Sequence, residues 1–479
     1  MPKHPTSKKI GLFLGPLLFL IVQFLPFEIL SEKADTVIAI GLWMVCWWIT
    51  EAVSISVTSL LPLLLFPLFK VMSIDDVGAN YGSPIVFLFF GGFVLALAIE
   101  KVNLHRRIAL TIIKKTGTTP NKVILGFMIA TGFMSMWISN TACVVVMLPI
   151  AMSVISLLMN DADGFTKKDQ NFALSVMLGI AFSANAGGIA TVIGTPPNSV
   201  LIGLLENEYH IEVSFFKWML LGLPISIILI TIIYFVLVKW MFPNKGLVFN
   251  ASKDVINTEL IKLGKTSARE KQVLVIFSIM VFLWIFRVPI NSLIPGLGLS
   301  DTMISIFGAL AFFTIPFNLK QGDFILNWND TQKLSWGILI LFGGGLALAN
   351  GMSESGIIEI IATSISTSQI SILLMAALLI TLMLFMTELM SNVALTAVLA
   401  PVVAGIAIGL NIPLLYLLIP VTIASSCAFM LPMATPPNAI VFASGYVKIK
   451  DMARVGFVLN IISVVLLILV FKFFVPLVF

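Results

Sequence analysis

Charge is what this sequence has least of. Only 11% of its 479 residues are Asp, Glu, Lys or Arg, whereas soluble domains carry about a quarter. A chain so poor in charge cannot cover a water-facing surface. With 59% hydrophobic residues and a mean hydropathy of +1.08, its solvent is lipid. Cysteine is scarce too. Cys46, Cys143 and Cys427 each sit in an apolar run without a nearby partner, which excludes a disulfide framework and leaves them as packing residues. The three histidines, His4, His105 and His210, are scattered in or beside polar segments. There is no HExxH, CxxC, Walker loop or GxSxG pattern. The sequence therefore implies no enzyme and no cofactor beyond a coupling ion.

What the chain has in quantity is long apolar runs. Residues 10–30, 52–72, 215–242, 334–350 and 455–479 approach or meet the roughly 20 residues a membrane helix needs. A secretory signal would be one short apolar stretch before a polar mature part; here apolar segments recur to the last residue. The fold class expected is an all-α polytopic membrane protein. Placing the N-terminus in the cytoplasm puts every one of the 28 Lys and Arg inside except Lys33, Lys70, Lys217, Arg287 and Lys472. Cytoplasmic loops are enriched in these residues, so this orientation is expected, with the C-terminus outside a plasma membrane. The net charge of +5 is then a topology signal, and nucleic acid is not an expected partner.

The chain also repeats itself. Phe90-Gly91-Gly92 recurs as Phe342-Gly343-Gly344, Ser139-Asn140 as Ser391-Asn392, and Pro149 as Pro401, all at an offset of 252. Thr195-Pro196-Pro197-Asn198 recurs as Thr435-Pro436-Pro437-Asn438 at an offset of 240. In the expected topology the segment 121–159 starts and ends inside, whereas 370–410 starts and ends outside. Each is either two spans or a re-entrant hairpin, and arm length does not decide between them. The two halves are thus inverted relative to each other. Inverted repeats with interrupted helices at matching positions point to a transporter's binding site.

The polar interruptions have a chemistry of their own. Each leaves backbone carbonyls at the end of one helical arm and free N–H groups at the start of the next. In lipid this is tolerable only where buried in protein or lining a cavity. Ser, Asn and Thr cap the second arm. A helix N-terminus suits a carboxylate, and the freed carbonyls suit a hard cation such as Na+. The paired prolines of 195–198 and 435–438 must break their spans, and the Asn that follows is expected to cap the next half-helix. Alone, a Ser-Asn-Thr in a span is usually a packing or capping motif, and a Pro-Pro usually a kink. In register within a repeat, the functional reading is the better one. The glycines of 91–92 and 343–345 are expected at close helix contacts. Glu51 fits a membrane edge. Glu388, three residues before the second tip, is read either as functional or as a hydrogen-bonded structural acid.

These motifs, with Ile49-Thr50-Glu51-Ala52 and Ser426-Cys427-Ala428-Phe429-Met430-Leu431-Pro432, resemble the divalent anion/sodium symporter family over essentially the whole chain. The resemblance implies about eleven transmembrane helices plus two re-entrant hairpins, a homodimer, and a transport domain that slides past a scaffold in elevator fashion. It implies scaffold and arm helices in 1–120 and 273–369. Transport parts would lie in 121–242 (hairpin 121–159, broken helix 172–205) and 370–479 (hairpin 370–410, broken helix 413–447), with a cytoplasmic connection at 243–272. The stretches 102–118 and 351–367 resemble the family's arm helices. Substrate contacts would come from Asn140, Thr141, Asn392, Val393, Thr435 and Pro436. One cation site would use Ser135, Ser139, Asn140 and Gly194, and a second Thr387, Asn392 and Ala434.

The family pattern is Ser-Asn-Thr in both hairpins, and here the second reads Ser391-Asn392-Val393. Valine keeps the shape and loses a hydroxyl, a hydrogen bond worth roughly 0.5–1.5 kcal/mol. The family holds both sodium symporters and sodium-independent exchangers. The expected activity is secondary transport of C4/C5 dicarboxylates such as succinate, malate, fumarate or 2-oxoglutarate, by sodium symport or by exchange. Sulfate or citrate transport within the same family and, less favoured, an anion channel are the alternatives.

Overall fold

The computed structural model describes residues 6–24, 31–117, 119–159, 166–244, 252–294, 296–318, 322–367 and 370–479. Lys3, His4, Lys245 and Lys320 lie outside them. The described chain is almost wholly helical, with a single two-stranded antiparallel ribbon joining Pro316–Asn318 to Asp323–Phe324. Eight of the described helices are long and apolar enough to cross a membrane, from Thr6–Phe24 to Ile449–Val478. Their outward faces carry large bare side chains such as Phe282, Phe286 and Leu469. So much exposed apolar surface is incompatible with water and fits lipid.

Helix starts follow the local chemistry. Ser31, Ser54, Ser73, Ser214, Ser267 and Ser300 each turn a hydroxyl onto a free N–H of the helix they precede. Pro84, Pro120, Pro196 and Pro436 occupy first helical positions, where no N–H is needed. The same order of elements appears twice. Pro84–Lys101, a short amphipathic helix Leu104–Thr116 and the pair Pro120–Ser135 and Asn140–Met159 answer to Trp336–Glu354, Ile357–Ser366, Ile372–Met386 and Asn392–Gly409.

The repeated glycines sit where helices touch. A Cβ at Gly91 would lie 2.7 Å from the Ser305 carbonyl carbon, and one at Gly344 2.2 Å from the Ser59 carbonyl oxygen. Hydrogen atoms are the only substituents these crossings admit. The three cysteines are free and buried.

Ion pairs tie together segments that the charge pattern puts on one face. Lys101 meets Asp330 at 2.6 Å, Arg107 meets Glu270 at 2.6 Å, and Arg106 meets Glu259. On the opposite face Arg287 meets Glu212 at 2.6 Å and Asp301 at 3.0 Å.

Candidate substrate and cation site

Two helical pairs break at the predicted tripeptides. Pro120–Ser135 ends, residues 136–139 turn, and Asn140–Met159 begins. Ser139 Oγ accepts from the Ala142 N–H at 3.2 Å. Ile372–Met386 ends, 387–391 turn, and Asn392–Gly409 begins, with Ser391 Oγ accepting from the Ala394 N–H at 3.4 Å. Each returning arm therefore starts at its tip, where the helix N-terminus carries a partial positive charge suited to an anion.

Two further helices break as well. Lys167–Gly188 stops, and Pro196–Tyr209 resumes after the loop; Leu414–Ser425 stops, and Pro436–Ala443 resumes. The cap residue is Thr195 or Thr435, not the asparagine expected in that role. Asn198 Nδ2 instead reaches back to the Gly188, Ile189 and Thr191 carbonyls at 3.2, 3.4 and 2.8 Å. Asn438 Nδ2 does the same to Ala428 and Leu431, both at 3.1 Å. The reason is the surplus of freed carbonyls. A proline at the first helical position removes a donor, so the amide's N–H groups are worth more on the loop than its oxygen is on the helix.

Oxygens gather beside the first tip. Ser135 Oγ is hydrogen-bonded to Asn140 Oδ1 and lies 2.7 Å from the Ala184 carbonyl. One hydroxyl proton cannot serve both acceptors. A Cβ placed on Gly188 would lie 2.9 Å from Asn140 Oδ1 and 3.1 Å from the Gly194 carbonyl, so these oxygens converge on one small cradle. The cluster has more acceptors than donors and no acid. Neutral oxygens of this kind fit a hard monovalent cation, and the described residues contain no His, Cys, Asp or Glu group suited to a metal ion.

The second tip is built differently. Thr387 Oγ1 donates to the Ser425 carbonyl at 2.9 Å, and Thr396 Oγ1 donates to the Asn392 carbonyl at 2.8 Å. Asn392 Oδ1 accepts from the Val393 N–H at 2.9 Å. Next to Thr387 lies the buried Glu388. Its carboxylate accepts from the Phe429, Met430 and Leu431 N–H groups at 2.8, 2.9 and 3.1 Å and from Asn460 Nδ2 at 2.7 Å. One acid thus satisfies the loop of the second broken helix and fastens it to the hairpin tip. The equivalent position in the first half is Met136, whose carbonyl accepts from Thr191 Oγ1 at 2.6 Å.

All these breaks open on one cavity of about 840 Å³, within the usual range for a small-molecule site. Its wall takes Ser139, Asn140 and Thr141 from the first tip and Ser391, Asn392 and Val393 from the second. Gly194, Thr195 and Pro196 come from one broken helix, and Ala434, Thr435, Pro436 and Pro437 from the other. Ser135, Pro197, Asn198, Thr387 and Asn438 stand behind the wall, all buried. Among the described residues, Lys8 and Glu51, 3.1 Å apart, are the only charged ones in the lining. Asn185 also lines it and was not anticipated, because its partners lie in the other half of the chain.

The model of the sodium:sulfate symporter transmembrane region matches residues 6–479. The chain belongs to this family. It is 41% identical over 480 residues to the sodium-dependent dicarboxylate transporter SdcS of Staphylococcus saprophyticus, covering 99% of this chain and 92% of that protein. The same identity holds over 479 residues to SdcS of Staphylococcus aureus MRSA252, with 99% and 92% covered. Among solved structures, the YdaH transporter of Alcanivorax borkumensis aligns with a TM-score of 0.58 at 13% identity, covering 83% of this chain and 87% of that one. MtrF of Neisseria gonorrhoeae aligns at 0.50 and 12%, covering 85% of each. At such identities these two show the fold alone.

Proposed function

We propose that the protein is a sodium-coupled secondary transporter of C4/C5 dicarboxylates, with the two carboxylates held at the two hairpin tips. The observation that carries this reading is the convergence of Asn140 and Asn392, each heading a helix N-terminus, on one cavity where, among the described residues, Lys8 at its mouth is the one Lys or Arg. Helix ends and neutral amides hold a dianion without a fixed cation, and a bound Na+ offsets its charge. Ser135, Asn140 and Gly194 would hold one ion, with Ser139 at the tip. Thr387, Asn392 and Ala434 would frame the second, with Glu388 behind it. The names of the staphylococcal relatives support both sodium and dicarboxylate.

The two halves are read as inverted repeats, with 121–159 and 370–410 as re-entrant hairpins entering from opposite faces. The hairpins and broken helices form a transport unit that rides past a dimeric scaffold. The amphipathic helices Leu104–Thr116 and Ile357–Ser366 are its arms. Ser7, Lys8, Glu51 and Ser335 mark the cavity mouth on the face of the N-terminus, so the conformation is open to the cytoplasm. Exchange is the second reading, and Val393 favours it by removing a hydroxyl beside the second cation position. Labelled succinate uptake into proteoliposomes tests both. Sodium-driven uptake into empty vesicles is expected. Uptake that ignores sodium and needs internal dicarboxylate would replace symport by exchange, and no uptake of any dicarboxylate would reject the proposal.

A further inference from the structure

Asn185 lies in the last turn of Lys167–Gly188, is 1% exposed and lines the cavity. Its side chain crosses to the other half of the molecule. Nδ2 donates to Thr435 Oγ1 at 3.1 Å and to the Ala428 carbonyl at 3.3 Å. Reversing the amide would set its oxygen against the Ala428 carbonyl, acceptor against acceptor, so the N–H groups must face this way. Its Oδ1 has no hydrogen-bond partner, and no competing contact turns the amide round.

The consequence falls on Thr435. A hydroxyl has two acceptor positions and one donor. Thr435 Oγ1 accepts from Asn185 Nδ2 and from the Asn438 N–H at 3.4 Å. With both acceptor positions occupied, the O–H is what remains for a ligand, and a carboxylate can only accept. The other half has no such device. The position matching Asn185 is Ser425, whose Oγ donates to the Thr422 carbonyl at 2.7 Å and lies 3.2 Å from Thr396 Oγ1, whose proton goes to the Asn392 carbonyl. Thr195, the counterpart of Thr435, makes no cap hydrogen bond with its side chain. The bridge therefore sets the polarity of the end of the cavity at Thr435.

We propose that Asn185 is a positioning residue for substrate recognition, which bridges the two halves to hold the Thr435 hydroxyl as a hydrogen-bond donor to a carboxylate of the transported anion. The inference rests on the dicarboxylate reading above and adds the residue that makes this end of the site a donor.

A double-mutant cycle tests it. The succinate KM at saturating sodium is measured in proteoliposomes for the full chain, Asn185→Ala, Thr435→Val and the pair. A hydrogen bond to a charged acceptor is at stake, so each single change should raise KM about tenfold. The maximal rate per reconstituted protein should hold within about twofold, and the double variant should be no worse than either single one. A general structural role for Asn185 would instead multiply with Thr435→Val. Multiplying factors, or an unchanged KM in Asn185→Ala, overturn the proposal. If Asn185→Ala does not reconstitute, Asn185→Asp decides. It keeps the volume and removes the N–H, so the same rise is expected, and an unchanged KM is the refuting result. Failure of the unaltered protein to take up dicarboxylates would reject the functional reading itself, an outcome distinct from either.

Discussion

At the scale of single residues, the proposed site offers neutral groups, so each hydrogen bond to a carboxylate would matter. Asn140→Ala removes a side chain that serves both the tip and the cation cradle. The succinate KM should rise roughly ten- to a hundredfold, and the sodium concentration for half-maximal uptake should rise with it. Asn392→Ala should raise the KM alone by a similar factor if Asn392 Oδ1 stays turned to the Val393 N–H, and both constants if it turns to a cation. Glu388→Gln keeps the shape and replaces an oxygen that accepts N–H groups by an amide nitrogen that donates. With four donors converging on the acid, at least one pair of N–H groups is left facing each other. Sodium dependence should weaken several-fold, measured as half-saturation in the same uptake assay; unchanged half-saturation would make Glu388 a packing residue only. The tip residues are legible in the sequence because Ser-Asn recurs in apolar surroundings at the same offset of 252 as the glycine and proline pairs. The partners of Glu388 and Asn185 are not. They lie 41 to 72 and 243 to 250 residues away, and a linear pattern carries no information on which buried donor meets which buried acceptor.

At the scale of elements, the repeated Phe-Gly-Gly shows how a sequence signal becomes a packing constraint. The Ser59 carbonyl lies where a Gly344 Cβ would stand, and backbone cannot yield as a flexible side chain can. Gly344→Ala should cost about 1–3 kcal/mol, read as a lowered unfolding midpoint in detergent, whereas Gly78→Ala, with nothing within 4 Å, should not lower it. The glycine repeat is visible in the sequence, but the helix each one touches is not. The reversed roles of Thr435 and Asn438 have a similar cause. Propensity admits both residues as caps, and only the count of freed carbonyls after a proline pair decides which amide is drawn away. The helix Leu104–Thr116 illustrates a third kind of constraint. Arg107 binds Glu270 and the carbonyls of Leu263 and Gly264 at 3.1 and 3.0 Å, which anchors this amphipathic helix to the segment joining the two halves. Arg107→Ala should slow transport while leaving the succinate KM unchanged, because the arm is remote from the cavity wall.

At the scale of the molecule, the shape of the cavity makes a claim about sidedness. Leu389 and Met433, at the second tip and the second broken helix, are 70% and 75% exposed although both lie in apolar sequence. They belong to the same cavity as Lys8 and Glu51, whose ion pair marks the mouth. The charge pattern assigns that mouth to the cytoplasm. A membrane-impermeant thiol reagent should therefore label Met433→Cys in inside-out vesicles and not in right-side-out ones. The background should be low, because Cys46, Cys143 and Cys427 are all buried. Succinate with sodium should slow the labelling, since the ligand fills the space beneath the side chain. If the transport unit moves as a body, conditions that drive the opposite orientation must expose Met433→Cys to the other side, with no residue of the scaffold changing its own accessibility. Labelling from the outside at rest would reverse the topology, and labelling from both sides at once would replace alternating access by an open pore. On the proposed arrangement, with two tips entering from opposite faces, a site reachable from one side at a time would couple the ion to the anion by moving between those faces.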